Sequence, residues 1–321
     1  MHIFVNILII AAVLVILVFL IGYFLIQLSM VRNHEQDIDR TDLSYVEKNE
    51  NYKEYHEKVL DGVNYFRSQN HEDVDIKSFD GLKLMGYLWE PEVPTTNTII
   101  CVHGYRADAL YDFGVKMKYL MNLGWNLLLV DDRAHGRSEG HYVGFGNLDA
   151  LDVLSWCKYI NNRYGENSRI ILHGVSMGGA TVLAAAGLSS KEDNVKGVIE
   201  DCGFSSGYDV VRTQLKAMYH LPEWPFLPVA NFWLKCLAKF DLKQRAAREL
   251  IKDFKGELLV IHGKTDDFVP TYMSGEIYDS AVCSKDILLV DDAGHVLSYL
   301  YDQKGYEEKF GQLIDRVLQQ V

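Results

Sequence analysis

Ser176 sits in G-V-S-M-G, Gly174 to Gly178, directly after the apolar run R-I-I-L-H and directly before A-T-V-L-A-A-A. A serine on a sharp turn from strand to helix exposes its hydroxyl at the end of a sheet. The helix behind it aims free N–H groups and the positive end of its dipole at a developing oxyanion. The bland alternative is a serine that merely caps a helix, and the surrounding motifs decide between the two. His103-Gly104-Tyr105 closes one β-rich run, and D-D-R-A-H-G-R-S-E-G, residues 131–140, closes another. Asp266 and Asp267 follow a third run in I-H-G-K-T-D-D-F-V-P, and His295 follows the last in D-D-A-G-H. Nucleophile, acid and base thus come in the order Ser, Asp, His, each just past a strand, where the catalytic groups of open α/β sheets gather. The chemistry these types perform together is acyl transfer: a serine hydroxyl attacks, a histidine takes its proton, and a carboxylate orients the imidazole.

The elements that must hold these residues alternate regularly. Short apolar runs at 98–102, 126–130, 169–172, 195–199, 258–261 and 287–290 read as parallel strands buried on both faces. Helical stretches such as 148–164 and 178–188 lie between most of them. This pattern predicts an α/β fold with a mostly parallel, doubly wound sheet. Ahead of it, residues 76–89 read as a hairpin turning at Asp80-Gly81. The interval from 199 to 258 is too long for a simple crossover. Pro222, Pro225 and Pro228 divide it into two amphipathic patterns, Val211, Leu215, Met218 and then Val229, Phe232, Trp233, Cys236, Leu237, Phe240. A two-helix cap over the sheet, within about 204–252, is the expectation.

In these motifs, in their order and in their spacing, residues 76–320 resemble the α/β-hydrolase superfamily, and among its members the membrane-anchored serine hydrolases and the catalytic domains of prolyl-oligopeptidase-type enzymes. The resemblance implies a triad of Ser176, Asp266 and His295, because H-G-x-x-D-x-x-V-P places the acid at Asp266 and not at Asp267, and G-H-V places the base at His295. It also implies an oxyanion hole made by the backbone N–H groups of Tyr105 and Met177. His103-Gly104 is followed by Tyr105-Arg106 and not by the glycine run of many lipases, which departs from that branch. His103 and His173 are expected in scaffold roles, and His135 and Arg137 as holders of the loop after the run ending at Val130.

Composition narrows the remaining classes. The chain has 321 residues, with 32 Lys+Arg against 44 Asp+Glu and a net charge of −12, so it lacks the basic face that nucleic-acid binding requires. Aromatics at 12% and hydrophobics at 48% exclude a disordered chain. No Lys, Arg, Asp or Glu precedes Arg32, and residues 3–28 are almost wholly apolar. That is long enough to span a bilayer and longer than a signal-peptide core, with no small-x-small site after Ser29. The expected domains are therefore an anchor at 1–31, a juxtamembrane linker with a packing helix at 32–75, and a hydrolase domain at 76–321. Within the second, 33–50 is polar linker, and Tyr52, Tyr55, Val59, Val63 and Phe66 form one helical stripe. Arg32 and Arg40 follow the span and none precedes it, which weakly favours an inward-facing domain and leaves the side of the cell membrane open. Five widely spaced cysteines without a C-x-x-C pair read as reduced core residues.

Gly263-Lys264-Thr265 lacks the earlier glycine of a phosphate loop, and no metal-ligand spacing occurs, so no cofactor or metal is expected. Partners reduce to a small-molecule or lipid acyl substrate and the membrane. The leading function is a membrane-anchored serine hydrolase of acyl esters, a carboxylesterase or an enzyme of lipid or thioester type. A serine peptidase of prolyl-oligopeptidase type and an inactive membrane-tethered scaffold are the competing readings.

Overall fold

A computed structural model describes residues 1–32, 53–165 and 167–320. The polar linker expected at 33–50, and Tyr52 of the helical stripe, lie outside the described residues. Among the described residues, eight strands form one sheet: β1 (Glu72–Lys77), β2 (Lys83–Trp89), β3 (Thr98–Val102), β4 (Asn126–Val130), β5 (Ile170–Val175), β6 (Val195–Asp201), β7 (Glu257–Gly263) and β8 (Ser284–Val290). Their order is β1-β2-β4-β3-β5-β6-β7-β8. The first two pairings, β1–β2 and β2–β4, are antiparallel and all the others parallel, so the sheet is mostly parallel as the strand–helix alternation predicts.

The helices are α1 (His2–Ser29), α2 (Lys53–Arg67), α3 (Ala109–Gly114), α4 (Met117–Asn122), α5 (Asp149–Tyr164) and α6 (Met177–Leu188). They continue as α7 (Gly207–Tyr219), α8 (Glu223–Leu237), α9 (Ala247–Leu250), α10 (Tyr272–Ser280), α11 (Ser298–Tyr301) and α12 (Gln303–Gln319). Both faces of the sheet are covered, and the two-residue side-chain period sorts each strand between them. In β3 and β4, Ile100, Val102, Leu128 and Val130 join a core with Trp156 of α5 and Leu183 of α6. Ile99, Cys101, Leu127 and Leu129 join the opposite core with Phe113 of α3 and Phe310 of α12.

Two strands depart from the sequence expectation. β1 starts at Glu72, ahead of the boundary at 76, because Glu72 is exposed at the strand end and Asp73 and Asp75 take the outward positions, masking the inward Val74 and Ile76. β8 was expected to be buried on both faces but is half-exposed, with Leu289 39% exposed, because among the described residues it forms the sheet edge and pairs with β7 alone. The long interval forms two helices, α7 and α8. Its return segment α9, inside the expected cap bounds, packs on α6 instead: a Cβ at Gly187 would lie 2.1 Å from the Leu250 carbonyl oxygen.

The helix α2, read as lying in the juxtamembrane segment, is built into the body. Tyr55, Val59, Val63 and Phe66 are buried in one core with α3 and α4. The contact is backbone to backbone, since a Cβ at Gly62 would sit 1.8 Å from the Gly114 carbonyl oxygen. Gly62→Leu is therefore expected to displace α2 and to cost about 2–3 kcal/mol of overpacking, lowering Tm by several degrees in a detergent-solubilised thermal melt. A melt unchanged by that substitution would show that α2 is not part of the cooperative unit.

Candidate active site

Ser176 occupies the single residue between β5 and α6 and has φ +54°, ψ −116°, a conformation that side chains rarely adopt. The turn is possible only because its neighbours lack side chains. A Cβ at Gly174 would stand 2.1 Å from the Gly178 carbonyl oxygen, and one at Gly178 would stand 2.0 Å from that of Val102. The backbone is also held from the side, Ser176 N–H donating to the Asp201 carbonyl at 2.8 Å. The result presents Oγ beyond the carboxyl end of the sheet, with the N-terminus of α6 directly behind it.

The loops after β7 and β8 bring the other two predicted residues to it. His295 Nε2 is 2.8 Å from Ser176 Oγ, and His295 Nδ1 is 2.7 Å from Asp266 Oδ2. The Asp266 side chain is fully buried. Burial alone would raise its pKa, but bonds from His262 and His295, and from backbone N–H groups, hold the carboxyl well below the usual range. Those N–H groups belong to Phe268 and Val269 and reach Oδ1 at 2.9 and 2.8 Å. An ionised Asp266 can only accept, so Nδ1 of His295 carries the proton and Nε2 is free to accept from the serine hydroxyl. Asp267, one residue on, is exposed and outside this arrangement.

The loop after β3 lies across Ser176. Asp112 Oδ2 accepts from the Gly104 N–H at 2.6 Å, and His135 Nε2 accepts from the Arg106 N–H at 3.1 Å. Both bonds fix the residue between them, Tyr105. Tyr105 and Met177 line the same cavity as Ser176, so the two predicted oxyanion donors and the predicted nucleophile share one space. His103 accepts from the Asp132 N–H at 3.0 Å, and Arg137 pairs with Asp131 and Asp73 while stacking on Tyr87. His173 is buried beneath the sheet end beside Tyr306 and Phe310. His103, His135 and Arg137 hold loops, His173 ties β5 to β6 and α12, and none of the four lines the cavity at Ser176.

The cavity has a volume of about 280 Å³ and runs from Ser176 between α7, α8 and the last turns of α1. Three features of the site escaped the sequence reading. Asp112 and the wall from α1 carry no local signal, because one is an acidic residue in the first turn of a short helix and the other reads as anchor. His262 lies four residues before Asp266 in the same motif, and its Nε2 is 3.3 Å from Asp266 Oδ2. Cys202, Asp266 and His295 place potential metal-ligand atoms within 4.8 Å of one another. Burial pushes the Cys202 thiol well up and keeps it protonated, while Asp266 and His295 already bond each other, so the set fits hydrogen bonding better than metal ligation.

Residues 94–204 match the family model described as serine aminopeptidase, S33. The YqkD protein of Bacillus subtilis (strain 168) is 30% identical over 242 residues, covering 75% of this chain and 78% of its own. A Pyrococcus furiosus esterase, Pf2001, superposes with a TM-score of 0.63 at 23% identity, over 78% of this chain and 93% of that one. The acylaminoacyl peptidase of Pyrococcus horikoshii superposes with a TM-score of 0.58 at 18% identity, over 80% of this chain and 43% of that one.

Behind Asp266 and His262 lies a second carboxyl group. Glu200, at the end of β6, is completely buried and accepts from the Gly203 N–H at 2.8 Å. Burial pushes its pKa up to about 8, against the opposing pull of His262 and that N–H. A raised carboxyl pKa means the folded chain holds a proton that the unfolded chain releases near 4.5, so stability falls as pH rises from about 4.5 to about 8. Glu200→Gln removes that loss. Its Tm should stay near the parent value at pH 5 and exceed it by several degrees at pH 8. A gap that is the same at both pH values would show that Glu200 does not titrate in this window.

Proposed function

The chain belongs to the α/β-hydrolase superfamily, and from that premise we propose that it is a membrane-anchored serine hydrolase that cleaves an acyl ester. The observation that carries this reading is the unbroken hydrogen-bonded line Ser176–His295–Asp266, with both histidine links shorter than 3 Å. Packing alone requires none of the three, and the elbow is strained in a way that only exposure of Oγ makes useful.

In the proposed cycle, Ser176 Oγ attacks the acyl carbonyl as His295 Nε2 takes its proton. Asp266 stabilises the imidazolium, and the N–H groups of Tyr105 and Met177 receive the oxyanion. The tetrahedral adduct collapses, His295 returns the proton to the departing alcohol, and the acyl-enzyme remains. Water then attacks that ester, giving its proton to His295, and the acid leaves as Ser176 regains its own. Hydrolysis of the acyl-enzyme is why one group must serve as base and acid in turn.

An anchor is supported by α1, a 28-residue helix whose apolar residues 3–17 are exposed to the surroundings. An ester substrate is supported by the apolar cavity and by the likeness in fold to an esterase. Peptide-bond hydrolysis is the second reading, favoured by the description of the matching family model as a serine aminopeptidase. Ser176→Ala is expected to abolish turnover of 4-nitrophenyl butyrate, and Asp266→Asn to lower kcat by about 10³–10⁴ with little change in KM. Aminoacyl 4-nitroanilides should turn over far more slowly than the ester. Ester turnover surviving in Ser176→Ala would refute the assignment, and anilides as the better substrates would establish the peptidase.

A further inference from the structure

The last turns of α1 belong to the cavity as much as to the anchor. Leu25, Ile26 and Met30 face Leu215 and Met218 of α7 and Leu227 of α8 across the space that ends at Ser176. Resting on the serine-hydrolase reading, we propose that α1 forms one wall of the acyl pocket and that the substrate is a single-chain acyl lipid drawn from the bilayer along this helix.

Three observations place α1 there firmly. Its final carbonyls are bonded by the loop that carries the oxyanion donor, since the Tyr105 hydroxyl donates to the Ser29 carbonyl and the Arg106 guanidinium to that of Leu28. A guanidinium at a helix C-terminus also meets the negative end of the helix dipole. Just beyond, Val31 bridges to Tyr142, Arg32 N–H donates to the His141 carbonyl, and the Arg32 guanidinium reaches the carbonyls of Ser138 and Gly136. The helix also runs antiparallel along α8. Phe19 meets Phe232 and Trp233, Trp233 Nε1 donates to the Phe19 carbonyl at 2.9 Å, and Gly22 is so close that a Cβ would lie 2.7 Å from Val229 Cγ1.

Length then sets the level of the bilayer. About 20 residues at about 1.5 Å each cover the ~30 Å hydrocarbon core, which completes the span close to Gly22. α8 covers α1 from Phe19 onward, over the last turn of that span. The cap therefore rests at the interface, the level at which the aromatic rings of Phe232, Trp233 and exposed Trp224 are favoured. A cavity between α1 and α8 at this level is next to the acyl chains of the leaflet. Its volume of about 280 Å³ lies at the small end for ligand pockets and suits one chain.

The test uses the full chain reconstituted in phosphatidylcholine–phosphatidylglycerol vesicles, with 1-decanoylglycerol and 4-nitrophenyl acetate as the probes. Ile26→Trp, which fills the cavity from the α1 side, should lower the decanoyl-to-acetyl rate ratio at least tenfold, and Ile26→Ala should raise the relative rate on longer chains. Decanoylglycerol held in the same vesicles as the protein should be cleaved at least tenfold faster than the same lipid in separate vesicles. Binding of dansyl-undecanoate to the Ser176→Ala chain gives a readout free of catalysis, and it should weaken at least tenfold when Ile26→Trp is added. An unchanged ratio with unchanged dansyl-undecanoate binding overturns the α1 wall while leaving the hydrolase reading intact. Equal rates from both vesicle arrangements overturn supply from the bilayer. Dansyl-undecanoate binding that depends on Ile26, in a chain that cleaves neither ester, upholds the wall and overturns the hydrolase reading.

Discussion

A non-glycine residue at φ +54°, fixed between a central strand and the helix that follows it, is the constraint on which the rest of this structure depends. Such backbone costs about 1–3 kcal/mol and persists only where the surroundings over-determine it. Here they do so through close approach: Gly174 and Gly178 allow β5, β3 and α6 to meet at distances where any side chain would collide. The sheet order places β3 and β6 on either side of β5, so the loop bearing Tyr105 flanks the elbow on one side. On the other side, the Asp201 carbonyl accepts the Ser176 N–H. The next two strands, β7 and β8, end in the loops that deliver Asp266 and His295. Sheet topology thus does the positioning, and the loops only complete it.

Electrostatics behind the elbow follow from burial. Asp266 is surrounded by donors, two imidazoles and two backbone N–H groups, and these outweigh the desolvation that would otherwise neutralise it. Glu200, one strand away, has a single N–H donor and stays protonated to higher pH. His262 stands between the two and is raised in pKa despite its burial, first by its bond to Asp266. Two buried carboxyl groups on neighbouring strand ends therefore carry different charges near neutrality, and the difference is set by the number of donors each can find.

The alternation of strands and helices along the chain, the elbow and the Ser–Asp–His sequence are legible because each rests on local pattern: apolar runs of strand length, glycines at a turn, short motifs at strand ends. Other features are not legible, for physical reasons that differ. β1 is hidden by the charged Glu72, Asp73 and Asp75, which dilute the apolar signal of Val74 and Ile76. α2 shows its stripe of Tyr55, Val59, Val63 and Phe66, but nothing local tells that Gly62 meets Gly114. The share of α1 in the cavity is the least legible of all. Leu25 and Ile26 read as membrane-spanning residues, and only the fold brings them to Leu215 and Leu227. His262 lay in a motif read for its aspartate, and its contact with Asp266 depends on how the loop after β7 curls.

The central claim is that the hydroxyl of Ser176, activated by His295, is the nucleophile of this chain. Treating the full-length protein with a fluorophosphonate and mapping the adduct by peptide mass spectrometry measures that directly. One adduct per chain is expected, on the peptide containing Ser176, with a labelling rate that collapses in His295→Ala. An adduct on another serine, or labelling of Ser176 at an equal rate without His295, would contradict it.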